Sequence, residues 1–289
     1  DDNDLGYQGR VPDINGATSF TSSYDEYEVF KAVPSYSETN VDELNLNVVW
    51  SLENVNFSLL GQYQDLDIFQ QQDNSELRVV PPPEQPRDFL QFNPVAYSIE
   101  LRADGELGSK LNYLFGAIYS DDQTNTVNSI NQINILGSAH TQSSGIYTNW
   151  TYQLSEQWDT SLGVRYTSVD YESTVFGAIP GFGELNTEGK QNFSDPSYSF
   201  KLRYYPLPDT LVYVGVDTAF RSGGVNVLAP LAGQLANVFT QSPVSENLRT
   251  ISEDYAEFTQ EDSVAYEIGL KGTFLEQRLR WNVAAFFQT

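Results

Sequence analysis

The sequence predicts an all-β fold: an antiparallel transmembrane β-barrel, present in part. Three observations carry that reading. Stretches of ten or more residues alternate apolar and polar side chains, the period of a strand with one apolar face. Short turns join these stretches in pairs, and polar connections of roughly 20 residues join one pair to the next. Aromatic residues such as Trp50, Tyr119, Trp150, Trp158 and Tyr171 fall near strand ends, as in the interfacial girdles of membrane barrels.

Taken in order, residues 1–43 hold ten Asp/Glu against Arg10 and Lys31, punctuated by Gly and Pro. They are expected to be an acidic, loop-rich extracellular segment with a short strand near Tyr27 to Val33. Residues 44–289 are expected to form the partial barrel. Its first hairpin alternates Leu44, Leu46, Val48 and Trp50 with polar neighbours, turns at Glu53-Asn54, and returns through Phe57, Leu59 and Tyr63. A polar loop follows over 70–95. Its Pro81-Pro82-Pro83 run reads as a stiff linker or as a ligand for a proline-recognition module.

The second hairpin, Ala96 to Ser120, turns over Asp104 to Gly108. A polar loop is expected over 121–141. The third hairpin, Ser143 to Tyr171, turns at Ser155 to Gln157, and another loop is expected over 172–193. The fourth runs through Tyr198, Phe200, Leu202 and Tyr204, turns over Pro206 to Asp209, and returns through Val212, Val214 and Val216. Proline suits a turn because it fixes φ and donates no hydrogen bond. A long loop, about 221–254, leads to the last hairpin, which turns between Phe274 and Arg278. Five hairpins make about ten strands, each long enough to cross the hydrocarbon, which takes about 9–11 residues.

Composition narrows the function classes. The net charge of −24 argues against nucleic-acid binding, which needs Lys and Arg opposite phosphate. With 18 Tyr, 17 Phe and 4 Trp the acidic chain is not a disordered one. Absence of cysteine removes disulfide and thiolate chemistry, and the single His140 makes no multi-histidine metal site. No cofactor and no enzymatic activity are expected, since no nucleophile, base and orienting group form a set. The chain lacks methionine altogether and stops within a strand pattern, so it reads as an internal fragment of a longer protein.

Three segments carry a family resemblance. Thr151–Tyr171, with Gly163, Arg165 and Tyr166, resembles a barrel hairpin of TonB-dependent outer-membrane receptors. Ser199–Gly224 resembles the following hairpin and ends in Phe220-Arg221-Ser222-Gly223-Gly224, similar to a recurrent strand end of that family. Glu261–Phe287 fits a third segment through Tyr266, Glu267, Gly269, Lys271, Arg278 and Asn282. Weaker likeness reaches back through Ser98–Ser120 to Leu44–Tyr63.

The resemblance implies a barrel of about 22 strands with a plug inside it, of which this chain would supply about ten strands and no plug. It implies residence in the outer membrane of a Gram-negative bacterium and contact with its lipid. It also implies a link to the TonB complex through a missing N-terminal part, and active uptake of a scarce ligand, most often a ferric siderophore. A passive porin and a soluble carbohydrate-binding all-β module stand as alternatives.

Arg221, Gly223 and Gly224 read as a strand-to-loop exit, with ligand or plug contact as the other reading. Glu267 and Lys271 are expected to face the lumen as a buried pair or a plug contact. His140 in a loop, Tyr147 near a strand end and Arg221 are the candidate ligand contacts, each also readable as plain surface or girdle.

Overall fold

The computed structural model describes residues 35–72, 88–130, 133–179, 183–225, 257–275 and 278–289. Its strands are β1 (Tyr36–Ser51), β2 (Val55–Gln72), β3 (Asp88–Leu107), β4 (Leu111–Ile130), β5 (Ile133–Gln153), β6 (Trp158–Ile179), β7 (Gly183–Leu207), β8 (Thr210–Arg221), β9 (Gly224–Val225), β10 (Glu257–Phe258), β11 (Glu261–Phe274) and β12 (Leu279–Gln288). Ten of them form one antiparallel sheet in the order β1 to β8, then β11 and β12. The strands pair as the five expected hairpins. The short β9 and β10 form a separate ribbon. The sheet is open, with β1 and β12 at its edges.

The two faces differ in chemistry. One hydrogen-bonded row aligns Val48, Leu59, Leu101, Ala117, Ile146 and Tyr166. These side chains share one face, and most stay exposed, Ile146 at 64%. The sheet is one layer thick, and Val175 is the one buried hydrophobic side chain among the described residues. A water-soluble protein would cover such a face with a second layer; a membrane barrel covers it with lipid.

Aromatic residues bound that apolar face on two sides. Near the tight turns lie Trp50–Phe57 at 5.9 Å, Phe115–Trp150 edge-on at 5.2 Å, Trp158–Tyr204 stacked at 4.4 Å and Phe274–Trp281 at 5.6 Å. Towards the opposite end lie Tyr63, Tyr97, Tyr119, Tyr166, Tyr198 and Tyr266. Six residues separate Tyr63 from Phe57 and eight separate Tyr166 from Trp158. At about 3.3 Å per residue the band is roughly 20–26 Å along the strand, matching the apolar height of outer-membrane barrels. The tyrosine girdle descends across the sheet: the row through Tyr266 meets β2 at Val55 rather than at Tyr63.

The opposite face is polar. It carries Asn45, Asn47, Ser58, Gln62, Asn112, Ser161, Arg165, Thr167, Lys201 and Arg203, as the alternation predicts.

The structure corrects several boundaries. Strand β1 starts at Tyr36, so residues 36–43 are strand rather than loop. The short strand expected near Tyr27 to Val33 and the run Pro81-Pro82-Pro83 lie outside the described residues. The loops expected over 121–141 and 172–193 are mostly strand, because β4 reaches Ile130, β5 starts at Ile133, β6 reaches Ile179 and β7 starts at Gly183. The described parts of 70–95 are strand as well. Above the girdle both faces are wet, so pairing persists on backbone hydrogen bonds without an apolar face to advertise it.

The turn placed over Asp104 to Gly108 lies later, between Leu107 and Leu111, with Gly108 at φ 64°. A positive φ there is the conformation glycine adopts without a Cβ clash. Pro206 sits within β7 at a register irregularity between Tyr204 and Leu207, where a strand proline is tolerated. Tyr171 faces the polar side, next to Thr141, so it is not part of the girdle.

Candidate lumenal site

Two tyrosines organise the polar face. Tyr147 lies in the interior of β5, not at a strand end. Its ring crosses Gly116 on β4, where a Cβ would lie 2.1 Å from the ring. Only glycine leaves room for the ring to lie flat on the wall. The Tyr147 hydroxyl donates to Glu100 Oε1 on β3. Arg102 forks onto both oxygens of Glu100 at 2.9 and 2.8 Å and also reaches the Tyr147 hydroxyl at 3.2 Å. The two-pronged contact fixes the carboxylate plane as well as its charge. On the other flank, the Arg165 guanidinium lies 5.9 Å from the Tyr147 ring centroid and donates to Thr167 Oγ1 at 2.8 Å.

Tyr213 on β8 repeats the arrangement nearer the tight turns. Its ring crosses Gly269 on β11, where a Cβ would meet ring carbons at 2.2 Å. Its hydroxyl donates to Glu267. Lys271 Nζ lies 5.1 Å from the ring centroid, within cation–π range. Glu267 and Lys271 therefore lie on the polar face, where they meet through Tyr213 and, among the described residues, form no ion pair with each other. The reason is geometric: the flat ring occupies the space over Gly269, between the two side chains.

Between these two centres the wall carries further charge. Arg203 Nε lies 2.5 Å from Asp159 Oδ1, and Lys201 Nζ lies 3.6 Å from Asp217. Ser199 Oγ donates to Asp217 at 2.5 Å. Gly163 is buried beside Asn149, with room for a Cβ only 3.1 Å from the Asn149 amide nitrogen. Asn282 on β12 pairs across from Lys271.

The remaining sequence candidates are dispersed. Arg221 ends β8 on the lumenal face, opposite Glu261. Gly223 and Gly224 pack under β10: a Cβ on Gly223 would fall 2.1 Å from the Phe258 carbonyl oxygen, and one on Gly224 would fall 2.6 Å from the Phe258 ring. Tyr166 and Tyr266 stand on the lipid face. Arg278 is exposed beside the last tight turn. His140 is in β5 rather than a loop, and it points to the outer face, 2.9 Å from Asp121. Asp121 also accepts from Gln142 at 2.7 Å, Tyr119 at 3.2 Å and Tyr97 at 3.3 Å.

Glu100, Arg102, Gly116 and Tyr213 have no part in the sequence-level site. Each is an ordinary lumenal position in its own strand. A glycine directly across from a tyrosine becomes a sign only once the register is known.

Comparison with known proteins follows the same lines. The family model described as TonB dependent receptor-like, beta-barrel, matches residues 1–289. The chain belongs to this family. The family's barrels reside in the outer membrane of Gram-negative bacteria and act as receptors and transporters rather than enzymes.

Among curated proteins, none matches by sequence. Among solved structures, the chain is similar to the ferric yersiniabactin uptake receptor FyuA from Yersinia pestis: TM-score 0.66, 16% identity, 89% of this chain and 36% of that one. It is also similar to the siderophore receptor PiuA from Acinetobacter baumannii, at TM-score 0.58 and 14% identity over 87% of this chain and 40% of that one. The copper transporter OprC matches at TM-score 0.60 and 13% identity, over 89% and 40%. At these identities the likeness is one of fold. The chain spans less than half the length of each of these structures.

Proposed function

We propose that the chain is part of the barrel wall of a TonB-dependent transporter that imports a ferric siderophore across the outer membrane. One observation carries the reading. A chain matched by the family along its whole length has a lipid-facing apolar band on one side and a polar wall with charged clusters on the other. Such a wall suits a water-filled lumen occupied by a plug and crossed by a polar ligand. The TonB complex supplies the energy, acting through a part of the receptor beyond this wall.

Tyr147 and Arg221 are the lumenal candidates for ligand contact. The upper part of the lumenal face carries Asp122, Asp195 and Glu261 against Arg221. This balance favours a neutral or cationic ferric complex over a polyanionic one. His140 reads instead as a partner of Asp121 on the outer wall.

The test is growth under iron restriction. The full-length receptor is expressed in a strain stripped of its own siderophore receptors and given ferric complexes of graded charge. Growth on a hydroxamate complex that vanishes when TonB is deleted supports the proposal. Entry of many unrelated small solutes without TonB overturns it in favour of a passive pore. TonB-dependent uptake of copper but of no ferric complex overturns the siderophore assignment alone.

A further inference from the structure

The chain turns inward where β8 ends. Val225 of β9 rests on Gly189 of β7, where a Cβ would lie 2.3 Å from the Val225 side chain. Gly189 is on the lumenal face, an even eight residues from Ser197, the register partner of Arg165. It is seven residues beyond Pro196, which pairs with the girdle residue Tyr166, so the contact is about 23 Å further along the strand. That end lies away from the tight turns and is extracellular in outer-membrane barrels. Two more contacts hold the chain there. The Phe193 ring lies against Gly223, where a Cβ would be 2.9 Å from it, and Gln260 donates to Asp195 at 3.0 Å. Ser173 and Val175 of β6 are buried beside this seat. The β9–β10 ribbon is a shelf fixed to the inner wall of the vestibule. The glycines of the Arg221-to-Gly224 exit let the chain lie against that wall.

Alternation decides which way the side chains of the shelf point. Val225 faces the wall, so its neighbour Gly224 faces the lumen. Phe258 is the register partner of Gly224, and directly opposed residues of an antiparallel pair share a face. The Phe258 ring therefore stands in the vestibule, over Gly224 and 53% exposed. Tyr147 and Tyr213 are also seated on glycines, but each gives its hydroxyl to a carboxylate and its ring to a cation. Phe258 has no hydroxyl, and among the described residues no cation stacks on it.

We propose that Phe258 is a specificity-determining ligand contact, a stacking platform for neutral ferric complexes that carry a flat aryl group beside the iron. The proposal rests on the uptake reading and deepens it by naming the organic part of the ligand. An aryl group stacks offset on the ring and covers apolar area that water now touches. An alkyl arm covers less and has no stack to gain. The seat on Gly224 holds the ring in place before the ligand arrives, so little side-chain freedom is lost on binding.

The experiment uses the full-length receptor in a strain stripped of its own siderophore receptors. The cells are de-energised, so that iron retained at the surface reports binding without transport. The probes are the neutral ferric tris-complexes of benzohydroxamate and acetohydroxamate, which share their iron-binding groups and differ in phenyl against methyl. The wild type is expected to retain the phenyl complex about three- to tenfold more tightly, the range for one aromatic stack. Phe258→Ala is expected to remove most of that preference, and Phe258→Tyr, which keeps the ring, is expected to keep it. Gly224→Ala pushes the ring from its seat and is expected to reduce the preference as well.

Equal retention of the two complexes by the wild type, or retention of neither, overturns the proposal. So does a preference that survives Phe258→Ala in folded, heat-modifiable barrel. A loss of both complexes to the same extent in Phe258→Ala reassigns the ring to holding the shelf or the plug and overturns it too. The growth assay judges the uptake reading separately. TonB-dependent growth there with no phenyl preference here sinks this proposal alone, and absence of any ferric uptake there sinks both.

Discussion

The same strands behave differently below and above the tyrosine girdle. From its level downward, neighbours face lipid and lumen in turn, as Ile146 and Tyr147 do in β5, the first beside the girdle residue Tyr166 and the second seated on Gly116 among charges. Above it, Leu136 in the same strand faces outward at 44% exposure, between Asn134 and Ser138. Below the girdle two different solvents force strict alternation. Above it water lies on both sides, and only the hydrogen-bonded ladder is required. Strand existence and strand pattern are therefore separate properties of this chain.

The sharpest way to break that contrast is one substitution at two heights. Leu162→Arg is expected to cost about 2–4 kcal/mol, the penalty for a cation at the mid-plane of a barrel's lipid face, because Leu162 stands midway between Trp158 and the girdle residue Tyr166. Leu136→Arg is expected to stay within about 0.5 kcal/mol, as an ordinary surface change. Urea unfolding of the full-length receptor in vesicles measures both. Equal costs would place the bilayer boundary elsewhere.

The next effect concerns the seated tyrosines. Gly116→Val and Gly269→Val are each expected to cost about 1–3 kcal/mol, because the new side chain displaces a ring from the wall. Above the girdle, a Cβ at Gly137 would come within 3 Å of the Thr126 hydroxyl alone, at 2.9 Å, and Gly137→Val is expected to cost less than either. The ordering of the three unfolding midpoints is the readout.

Removing a single hydroxyl is a smaller perturbation. Tyr147→Phe is expected to cost about 0.5–1.5 kcal/mol through its bond to Glu100. In a double-mutant cycle with Glu100→Gln the two losses are expected to be less than additive. Additive losses would mean that the network does not act as a unit. Smallest of all is Lys190→Met. The Lys190–Glu172 pair stands on the wet outer wall with both side chains exposed, at 65% and 47%. Its loss is expected to change the midpoint by no more than about 0.5 kcal/mol.

These regions also differ in how legible they were. From Leu44 to Tyr63 and from Ser143 to Tyr171, alternation marks both the strands and their two faces, since lipid on one side and water on the other leave a period of two. Residues 121–130 and 183–193 read as loops because Asp, Gln, Thr and Asn occupy both faces there. The lumenal centre was half legible. Glu267, Gly269 and Lys271 stand out through family resemblance, but the residue that joins them, Tyr213, lies on another strand. Tyr147 was singled out, yet its partners Glu100, Arg102 and Gly116 are 31 to 47 positions away in the chain. Such groupings depend on register, and register is set by the pairing of whole strands rather than by any local stretch.

The descent of the tyrosine girdle has a geometric consequence. Between Tyr63 on β2 and Tyr266 on β11 the sheet advances by seven strand spacings while the girdle slips eight residues along the ladder. With about 4.8 Å between strands and about 3.3 Å per residue, the strands lean at roughly 38° to the membrane normal, inside the 35–45° range of closed barrels. Carried around about 22 strands, the same slip accumulates to about 25 residues of shear. A hydrogen-bond path followed once around such a cylinder returns not to its starting residue but to one about 25 positions further along the same strand.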